Sequence, residues 1–207
     1  LSRIDEVPNI EWQEKSGDEM KELIFQEMWN DFFKEKNLEA VDMQDKKTCI
    51  RYGRPTKKLV PGEFYPDVYA LDIFDVVYDP LMDPLNIESA RFVIHQNIFK
   101  TVREILADDK YSAEGKRGLK EYADSKEGIV QSHLNKEALE KKQKRLEAMG
   151  VKHSDFPLFA AGDVLVNLTE HHTNVWDGKK FERRVITYCD DSIELLNQSS
   201  QDAIGMD

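Results

Sequence analysis

The chain has 207 residues, of which 40% are hydrophobic and 33% are charged. This length and composition allow a buried core and exclude a wholly disordered chain. The chain carries 29 Lys and Arg against 40 Asp and Glu, so its net charge is −11. That balance argues against a protein that grips DNA phosphates over a broad surface. No apolar run approaches the roughly 18 residues that a membrane-spanning helix needs, and the first residues show no signal peptide.

The ends and the cysteines set two further expectations. The sequence begins at Leu1 rather than Met and ends in a polar tail, Asn197 to Asp207. We therefore expect it to be a segment of a longer chain. Cys49 and Cys189 are far apart and form no zinc or redox motif. They are expected to be reduced packing residues in a protein that assembles in a cytoplasm.

The first third of the sequence predicts one helix and then short strands. From Asp18 to Lys36 the apolar residues recur at helical spacing, and such a face is expected to pack against a sheet or another helix. These residues are Met20, Leu23, Ile24, Met28, Phe32 and Phe33. Thr48–Tyr52 and Tyr65–Ile73 are predicted as strands, separated by the turn signal Pro61-Gly62.

The middle of the sequence alternates between the two patterns. Phe74–Tyr78 is expected to stay extended until the following Asp-Pro pair, and Arg91–His95 is predicted as a strand. Ile98–Ala107 has the spacing of a short helix, whereas Asp108–Gly128 is polar and predicted as a loop or weak helix. His133–Met149 is predicted as a helix that Gly150 ends. Its candidates for burial are Leu134, Ala138, Leu139 and Leu146.

The last third of the sequence predicts a β-meander. Val164–Val175 alternates apolar and polar residues, and Asp177-Gly178 is a strong hairpin signal. Phe181–Tyr188 is the predicted partner strand, and Ile193–Leu196 is the last one. The sequence therefore predicts an α+β fold in which helices pack on a mostly antiparallel meander sheet.

The histidines do not predict a metal site. His171 and His172 are adjacent, so on a strand they point to opposite faces. His95, His133 and His153 have no Cys or carboxylate at ligand spacing. We expect no metal and no cofactor.

Two acidic patterns allow a test for an enzyme. Asp79 and Asp83 each precede a proline, which is typical of a loop rather than of a carboxylate pair. Pro66-Asp67 begins a metal-nuclease pattern that also needs an acid and a lysine, two residues apart, on a neighbouring strand. Glu114-Gly115-Lys116 has these letters but lies far away in a polar stretch. The pattern therefore does not predict a nuclease.

Other catalytic and nucleic-acid signals are equally weak. No Gly-rich phosphate loop follows a predicted strand, and no serine lies in a nucleophile elbow. The basic run Lys141-Lys142-Gln143-Lys144-Arg145 has acidic residues on both sides, which favours a solvated helix face. We therefore expect a structural or binding protein rather than an enzyme.

Four stretches, in this order, resemble the wing region of portal proteins from tailed bacteriophages. The first is the apolar helix Asp18–Lys36, which leads towards Tyr52-Gly53. The second is Val68–Pro80, a strand that runs through Ile-Phe-Asp into an Asp-Pro loop. The third is Ile87–Gln96, with the order acidic residue, Ala, Arg, aromatic, Val, and Thr101–Ile105 follows it as a short helix. The fourth is the hairpin from Asn167 to Tyr188.

The sequence departs from the family pattern at three places. Ile73 stands where the family usually has Pro, and His171-His172 replaces an aromatic residue. The polar, partly helical insertion at 108–159 is the least matched part.

The resemblance implies a non-enzymatic subunit of the ring through which phage DNA is packaged and ejected. Residues 1–207 would form one wing-like region, and the stem and clip would follow Asp207. The implied partners are copies of itself, in a closed and typically dodecameric ring, together with the major capsid protein, scaffold and double-stranded DNA in the channel. Terminase and the tail adaptor would bind parts of the parent outside this segment. The implied location is the portal vertex of the virion, with no membrane.

Three other interpretations remain open. One is another phage structural protein, such as an adaptor or baseplate component. Another is a metal-dependent nuclease, whose DNA cleavage would be abolished by Asp67→Ala. The third is a general α+β binding module that stays a stable monomer.

Overall fold

The computed structural model describes residues 19–62, 64–83, 86, 89–148, 162–192 and 195–200. These residues form helices and two antiparallel sheets, so the predicted α+β class is confirmed. The chain divides into two compact units. The first unit holds the described residues up to Ile73 together with Ala148, and the second unit holds the others. The single wing-like region over residues 1–207 stays a prediction.

The first unit pairs two helices with a small hairpin. Its elements are α1 (Glu19–Glu35), α2 (Leu38–Tyr52), β1 (Lys57–Val60) and β2 (Asp67–Ala70). The helix predicted from Asp18 to Lys36 is therefore confirmed. Asn37, with a φ of 48°, reverses the chain between the two helices. The β1–β2 hairpin contacts α2, and the Gln44 side chain donates to the carbonyl of Ala70 over 3.4 Å.

The strand predicted at Thr48–Tyr52 is wrong, because this segment is the last part of α2. Its β-branched and aromatic residues suggested a strand, but Thr48 faces inwards at helical spacing from Asp45. Gly53 ends the helix with a φ of 78°, and its N–H donates to the carbonyl of Cys49. The neighbouring strand prediction was too long, since only 67–70 of the predicted Tyr65–Ile73 is a strand.

The apolar face predicted on α1 is not buried. None of the 17 residues of α1 is buried, and the apolar residues of its outer side are exposed. The inner side makes aromatic contacts instead: Trp29 meets Phe32 edge-on at 5.7 Å, and Phe32 lies 5.4 Å from the ring of Tyr65. The expectation that the Met20–Phe33 stripe is covered is therefore wrong for most of its members.

The second unit is built on a five-stranded sheet. Its strands are β3 (Val76–Tyr78), β4 (Phe92–Thr101), β5 (Leu165–Trp176), β6 (Phe181–Cys189) and β7 (Leu195–Ser200). The strands lie side by side in chain order and every neighbouring pair is antiparallel. The predicted meander is therefore confirmed.

The predicted turn at Asp177-Gly178 joins β5 to β6. The loop spans 177–180, and Gly178 has a φ of 97°. The Asp177 carboxylate accepts hydrogen bonds from the backbone N–H groups of Lys179 and Lys180, each 2.7 Å long. The last strand lies further along the sequence than predicted, from Leu195 to Ser200. Ile193, the predicted first residue, lies outside the described residues.

Among the described residues between β4 and β5 there are three helices: α3 (Val102–Ala107), α4 (Ala113–Ala123) and α5 (Lys126–Ala148). The helix predicted at Ile98–Ala107 begins too early, because Ile98 to Thr101 continues strand β4. Thr101 starts α3 through a capping box, in which its hydroxyl accepts from the Glu104 N–H and the Glu104 carboxylate accepts from the Thr101 N–H.

The stretch predicted as a loop or weak helix contains a full helix. The Ser112 hydroxyl caps α4 by accepting from the Gly115 N–H over 3.1 Å. A side chain at Gly115 would meet the carbonyl of Leu195 at 2.6 Å, so glycine allows α4 to approach β7 closely. Helix α5 begins seven residues before the predicted start at His133, and the predicted stop, Gly150, lies outside the described residues.

An apolar core joins α3 and α4 to the sheet. Ile105 and Leu119 are fully buried there against strand residues such as Leu168. The cluster comprises Val102, Ile105, Tyr111, Leu119, Ala123, Val166, Leu168, Cys189 and Leu196. Burial raises the pKa of the Tyr111 hydroxyl and of the Cys189 thiol, so both stay neutral. Among the helices that the structure describes, none is long and apolar enough to cross a membrane.

Candidate functional site

Asp79 and Arg91 form a clasp between the end of β3 and the start of β4. The Asp79 carboxylate accepts from Nε and Nη2 of Arg91 over 2.7 and 2.9 Å. It also accepts from the backbone N–H groups of Arg91 and Leu81, over 3.1 and 2.9 Å. Two parallel bonds from one guanidinium are a strong and directional arrangement. The clasp therefore fixes both the loop after β3 and the first residue before β4.

The two charges of the clasp have different surroundings. The Asp79 side chain is 1% exposed and the Arg91 side chain is 64% exposed. The hydrogen bonds from Arg91 and from the Leu81 N–H hold the pKa of the Asp79 carboxyl well below its usual range. The carboxylate is consequently charged throughout the neutral and mildly acidic range.

A bulge in β4 organises a second polar group. The register between β4 and β5 shifts between His95 and Ile98, and Asn97 adopts a φ of 57° there. The Asn97 amide donates to the Asp75 carboxylate over 2.9 Å. Its backbone carbonyl accepts from the Lys142 ammonium, also over 2.9 Å. The bulge thus turns one strand residue towards both the chain before β3 and helix α5.

Asp75 is the centre of this group, which we call the Asp75 cluster (Asp75, Asn97, Lys142 and Arg145). Its side chain is 1% exposed, and its Oδ2 lies 2.6 Å from Nζ of Lys142. Nη2 of Arg145 lies 3.7 Å from the same carboxylate, and the guanidinium stacks 5.2 Å from the Phe74 ring. A buried carboxylate with two cations and an amide is electrostatically matched. The cluster therefore anchors the C-terminal half of α5.

The N-terminal half of α5 completes the edge of β5. Strand β6 ends at Cys189, opposite Leu168, so the backbone groups of Leu165 and Asn167 lie beyond its end. The Leu165 N–H donates to the Ser132 hydroxyl over 2.9 Å, and the Leu165 carbonyl accepts from the Asn135 amide over 3.0 Å.

The turn after β6 provides hydrogen-bond partners for the backbone groups of Asn167. The Asn167 N–H donates to the Asp191 carboxylate over 2.9 Å, and the Asn167 carbonyl accepts from the Asp190 N–H over 3.0 Å. Asn135 also donates to the Asp191 carboxylate, over 2.7 Å. Three side chains and the Asp190 N–H thus provide the hydrogen bonds that a neighbouring strand would supply along this edge of β5.

The four histidines in the described residues lie on β4, β5 and α5. His171 packs edge-on against the Phe92 ring, and burial lowers its pKa. His95 and His172 each have a ring nitrogen 3.8 to 3.9 Å from the Glu170 carboxylate. His133 is exposed on α5, and His153 lies outside the described residues. Within the described ranges, no three His, Cys, Asp or Glu side chains could hold a metal ion together.

The residues of the nuclease pattern belong to different kinds of element. Asp67 lies at the start of β2, and its carboxylate is 3.0 Å from Nζ of Lys36. Glu114 and Lys116 lie in the first turns of α4, a helix, whereas the pattern requires a neighbouring strand. Asp83, the other candidate acid, has its backbone N–H bonded to the Ser89 hydroxyl in the loop before β4.

The basic run of α5 is only partly a solvated face. Lys141 and Lys144 are exposed, as the interleaved charges predict. Lys142 and Arg145 instead turn inwards to Asp75. The predicted burial of Leu139 is correct, but Leu134 and Ala138 are exposed. One feature of the sequence indicates that Lys142 faces inwards. It lies on the same helix face as Ser132, Asn135 and Leu139.

The chain matches no known family model, and no curated protein is significantly similar to it.

Proposed function

We propose that the chain is a wing region of the portal subunit of a tailed bacteriophage, with a structural rather than a catalytic role. In this role it helps to build the ring through which DNA is packaged and ejected. The chain is then a segment of a longer subunit, and the stem and clip follow Asp207.

The clasp is the observation that carries the proposal. Asp79 belongs to the Asp-Pro loop, one of the stretches that resemble portal proteins, and Arg91 belongs to the next such stretch. These residues meet through a bidentate pair with a carboxylate that is only 1% exposed. The clasp therefore joins the second and third resembling stretches, and this contact supports their interpretation as parts of one motif.

The sheet offers a second line of support. The third and fourth resembling stretches pair as β4 and β5, and the fourth returns as β6. Polar side chains make hydrogen bonds to the backbone along the edge of this sheet, as Ser132, Asn135 and Asp191 do. Such contacts set strand register and helix position, which are the tasks of a scaffold.

The proposed partners follow from the role. The subunit assembles with copies of itself into a closed ring, taken to be a dodecamer, and contacts the major capsid protein and scaffold. Double-stranded DNA passes through the channel. The parent binds terminase and the tail adaptor through other regions, and the ring lies at the portal vertex of the virion.

Negative-stain electron microscopy of the protein expressed at its natural full length tests the proposal. We expect rings with a central hole and about twelve-fold symmetry. Co-expression with the scaffold protein of the same phage is included, so that a ring whose closure requires scaffold is also detected. A monodisperse monomer under both conditions would overturn the proposal and favour a general binding module.

A further inference from the structure

Helix α1 presents an outer face that is both apolar and acidic. Met20, Ile24 and Met28 form one row along it at a spacing of four residues, with exposed fractions of 66%, 48% and 48%. The adjoining row begins with Leu23, 56% exposed, and continues with acidic side chains. These acidic residues are Glu27, Asp31 and Glu35, all exposed. Because the helix holds five acidic and two basic residues, its net charge is −3.

The exposure of this face is unusual for a helix in a folded chain. Most helices in proteins gain their stability by packing an apolar face, since a short helix is marginal by itself. Four large aliphatic side chains on consecutive turns form a contiguous patch, and such patches mark interaction sites. A partner for this face needs apolar side chains together with positive charge.

The same unit carries a surface of that chemistry. Residues 46–58, from the end of α2 to the start of β1, contain six basic residues and no acidic residue, in a protein of net charge −11. The basic residues are Lys46, Lys47, Arg51, Arg54, Lys57 and Lys58. Ile50 is 63% exposed among them, and Leu59, the next residue along β1, is 68% exposed. We call this surface the basic surface.

A second copy of the chain fits this pair of surfaces better than DNA does. Two cations of the basic surface are already paired within the unit, since Lys57 lies 2.8 Å from the Asp45 carboxylate and Lys46 lies 3.0 Å from Asp42. A phosphate backbone would leave the exposed Ile50 and Leu59 without a partner. The α1 outer face supplies both an apolar row and exposed acidic side chains, so it matches the basic surface in both respects.

The symmetry of a ring also requires complementary surfaces on each subunit. Its subunits meet head to tail, so each copy must carry two different and complementary surfaces. We propose that the outer face of α1 docks on the basic surface of the neighbouring copy and forms a subunit contact of the ring. This inference rests on the proposed function and names the residues that join its subunits.

Cross-linking between two differently tagged full-length proteins tests the contact. Cys49 is exposed at the basic surface and serves as a native reporter, whereas Cys189 is buried. One protein carries Leu23→Cys together with Cys49→Ser, and the other keeps Cys49. Cysteines outside this sequence are replaced in both. The proteins are assembled together, imaged and treated with a short bismaleimide.

We expect a cross-linked heterodimer in the mixture, at least tenfold more abundant than any cross-linked dimer in either protein alone. A matched control places the new cysteine at Glu39, an exposed residue at the start of α2, in the same Cys49→Ser background. This control should give no heterodimer above the level of the separate proteins.

The outcomes separate the contact from the proposed function. Rings without the heterodimer would overturn the contact and leave the portal proposal standing. A dimer of the Leu23→Cys protein alone would mean that α1 packs on α1, which also overturns it. If neither rings nor the heterodimer form, both proposals fail. Binding of duplex DNA that Arg51→Glu abolishes, without the heterodimer, would assign the basic surface to DNA instead.

A charge on the outer face provides a second measurement. Ile24→Asp places a carboxylate in the apolar row, where the side chain is already half exposed. We expect ring formation to be lost while the circular dichroism spectrum stays that of the unmodified protein. Normal rings from this variant would contradict the contact.

Discussion

At the residue scale, the clasp shows how a charged carboxylate can be buried and still keep its hydrogen bonds. The Asp79 carboxylate is removed from water, yet each of its oxygens accepts two hydrogen bonds. Arg91 remains largely in water, so its desolvation is small. The pairing of Asp79 with Arg91 is therefore specified mainly by the hydrogen-bond geometry of the carboxylate, because only one of the two ions is buried.

Replacing the carboxylate by an amide should weaken the second unit. Asp79→Asn keeps the shape but turns one acceptor oxygen into a donor that faces the Arg91 guanidinium. We expect the melting temperature to fall by several degrees. Asp109→Asn, at an exposed residue of the loop before α4, should leave it unchanged. Equal melting temperatures for the two variants would show that the clasp does not stabilise the fold.

The same carboxylate should make stability fall in acid. Because the folded state lowers the pKa of Asp79, folding is favoured when the group is ionised. This contribution is complete above the unfolded-state pKa of about 3.9 and is lost as pH falls towards the folded-state value. We expect the difference in urea midpoint between the unmodified protein and Asp79→Asn to shrink below about pH 4. A difference that grows in acid would contradict this.

At the element scale, α5 binds the sheet through its polar side. Ser132, Asn135 and Lys142 contact strand or loop groups, while Ile129, Val130 and Leu134 are at least half exposed. Polar contacts fix the position of a helix closely. When one partner is removed, the other is left as a buried polar group without a hydrogen bond, which destabilises the fold. The helix should therefore be sensitive to single polar substitutions.

Lys142→Met should be strongly destabilising, because it leaves the Asp75 carboxylate almost fully buried with Arg145 at 3.7 Å as its cation. Breaking such a pair costs roughly 3 kcal/mol. Adding Asp75→Asn should recover part of this loss, since the buried charge is then removed as well. Urea unfolding of both variants at unchanged m-value measures the effect. If the double variant is less stable than Lys142→Met, the two residues are not coupled as described.

The two sides of α1 predict opposite responses to a negative charge. Phe32→Asp puts a carboxylate between the rings of Trp29 and Tyr65 and should cost about 2 kcal/mol. Ile24→Asp, on the outer face, should change the stability of the unassembled chain by less than about 0.5 kcal/mol. Thermal melting of the two variants below the assembly concentration compares them. Equal losses would mean that the inner and outer faces are assigned wrongly.

At the scale of the whole molecule, the proposed role is structural. We expect no hydrolysis of duplex DNA in the presence of Mg²⁺ or Mn²⁺, because Asp67 pairs with Lys36 and its supposed partners lie on a helix. A fluorescent plasmid-nicking assay is the measurement. Turnover that survives repurification and disappears in Asp67→Ala would instead establish the nuclease interpretation.

The fold was predictable where one strong local signal decides the structure. Alternation over Val164–Val175 and the Asp177-Gly178 turn predicted the β5–β6 hairpin, and helical spacing predicted α1. Thr48–Tyr52 was mispredicted because its strand-forming composition competes with the helix that precedes it. Ile98–Thr101 was mispredicted because four residues of a strand can also fit a helical pattern.

The polar contacts of the site were less predictable. Asp75 and Lys142 are distant in sequence and share no periodic pattern, and Asn97 at the bulge contacts both of them. The outer face of α1 was recognised as apolar, but spacing alone does not say whether such a face is covered by the same chain. The Asp79-Pro80 and Arg91 signals were visible separately, and their pairing was not.

The position of α3, α4 and α5 between β4 and β5 has a consequence for how the protein folds. Strands β5, β6 and β7 follow one another through short connections, so their pairing closes small loops and can form early. Pairing of β4 with β5 instead encloses residues 102–164 and carries a larger entropic cost. Formation of α3, α4 and α5 shortens that loop before it closes. We therefore expect the pairing of β4 with β5, together with the docking of α5, to be slower than the pairing of β5, β6 and β7.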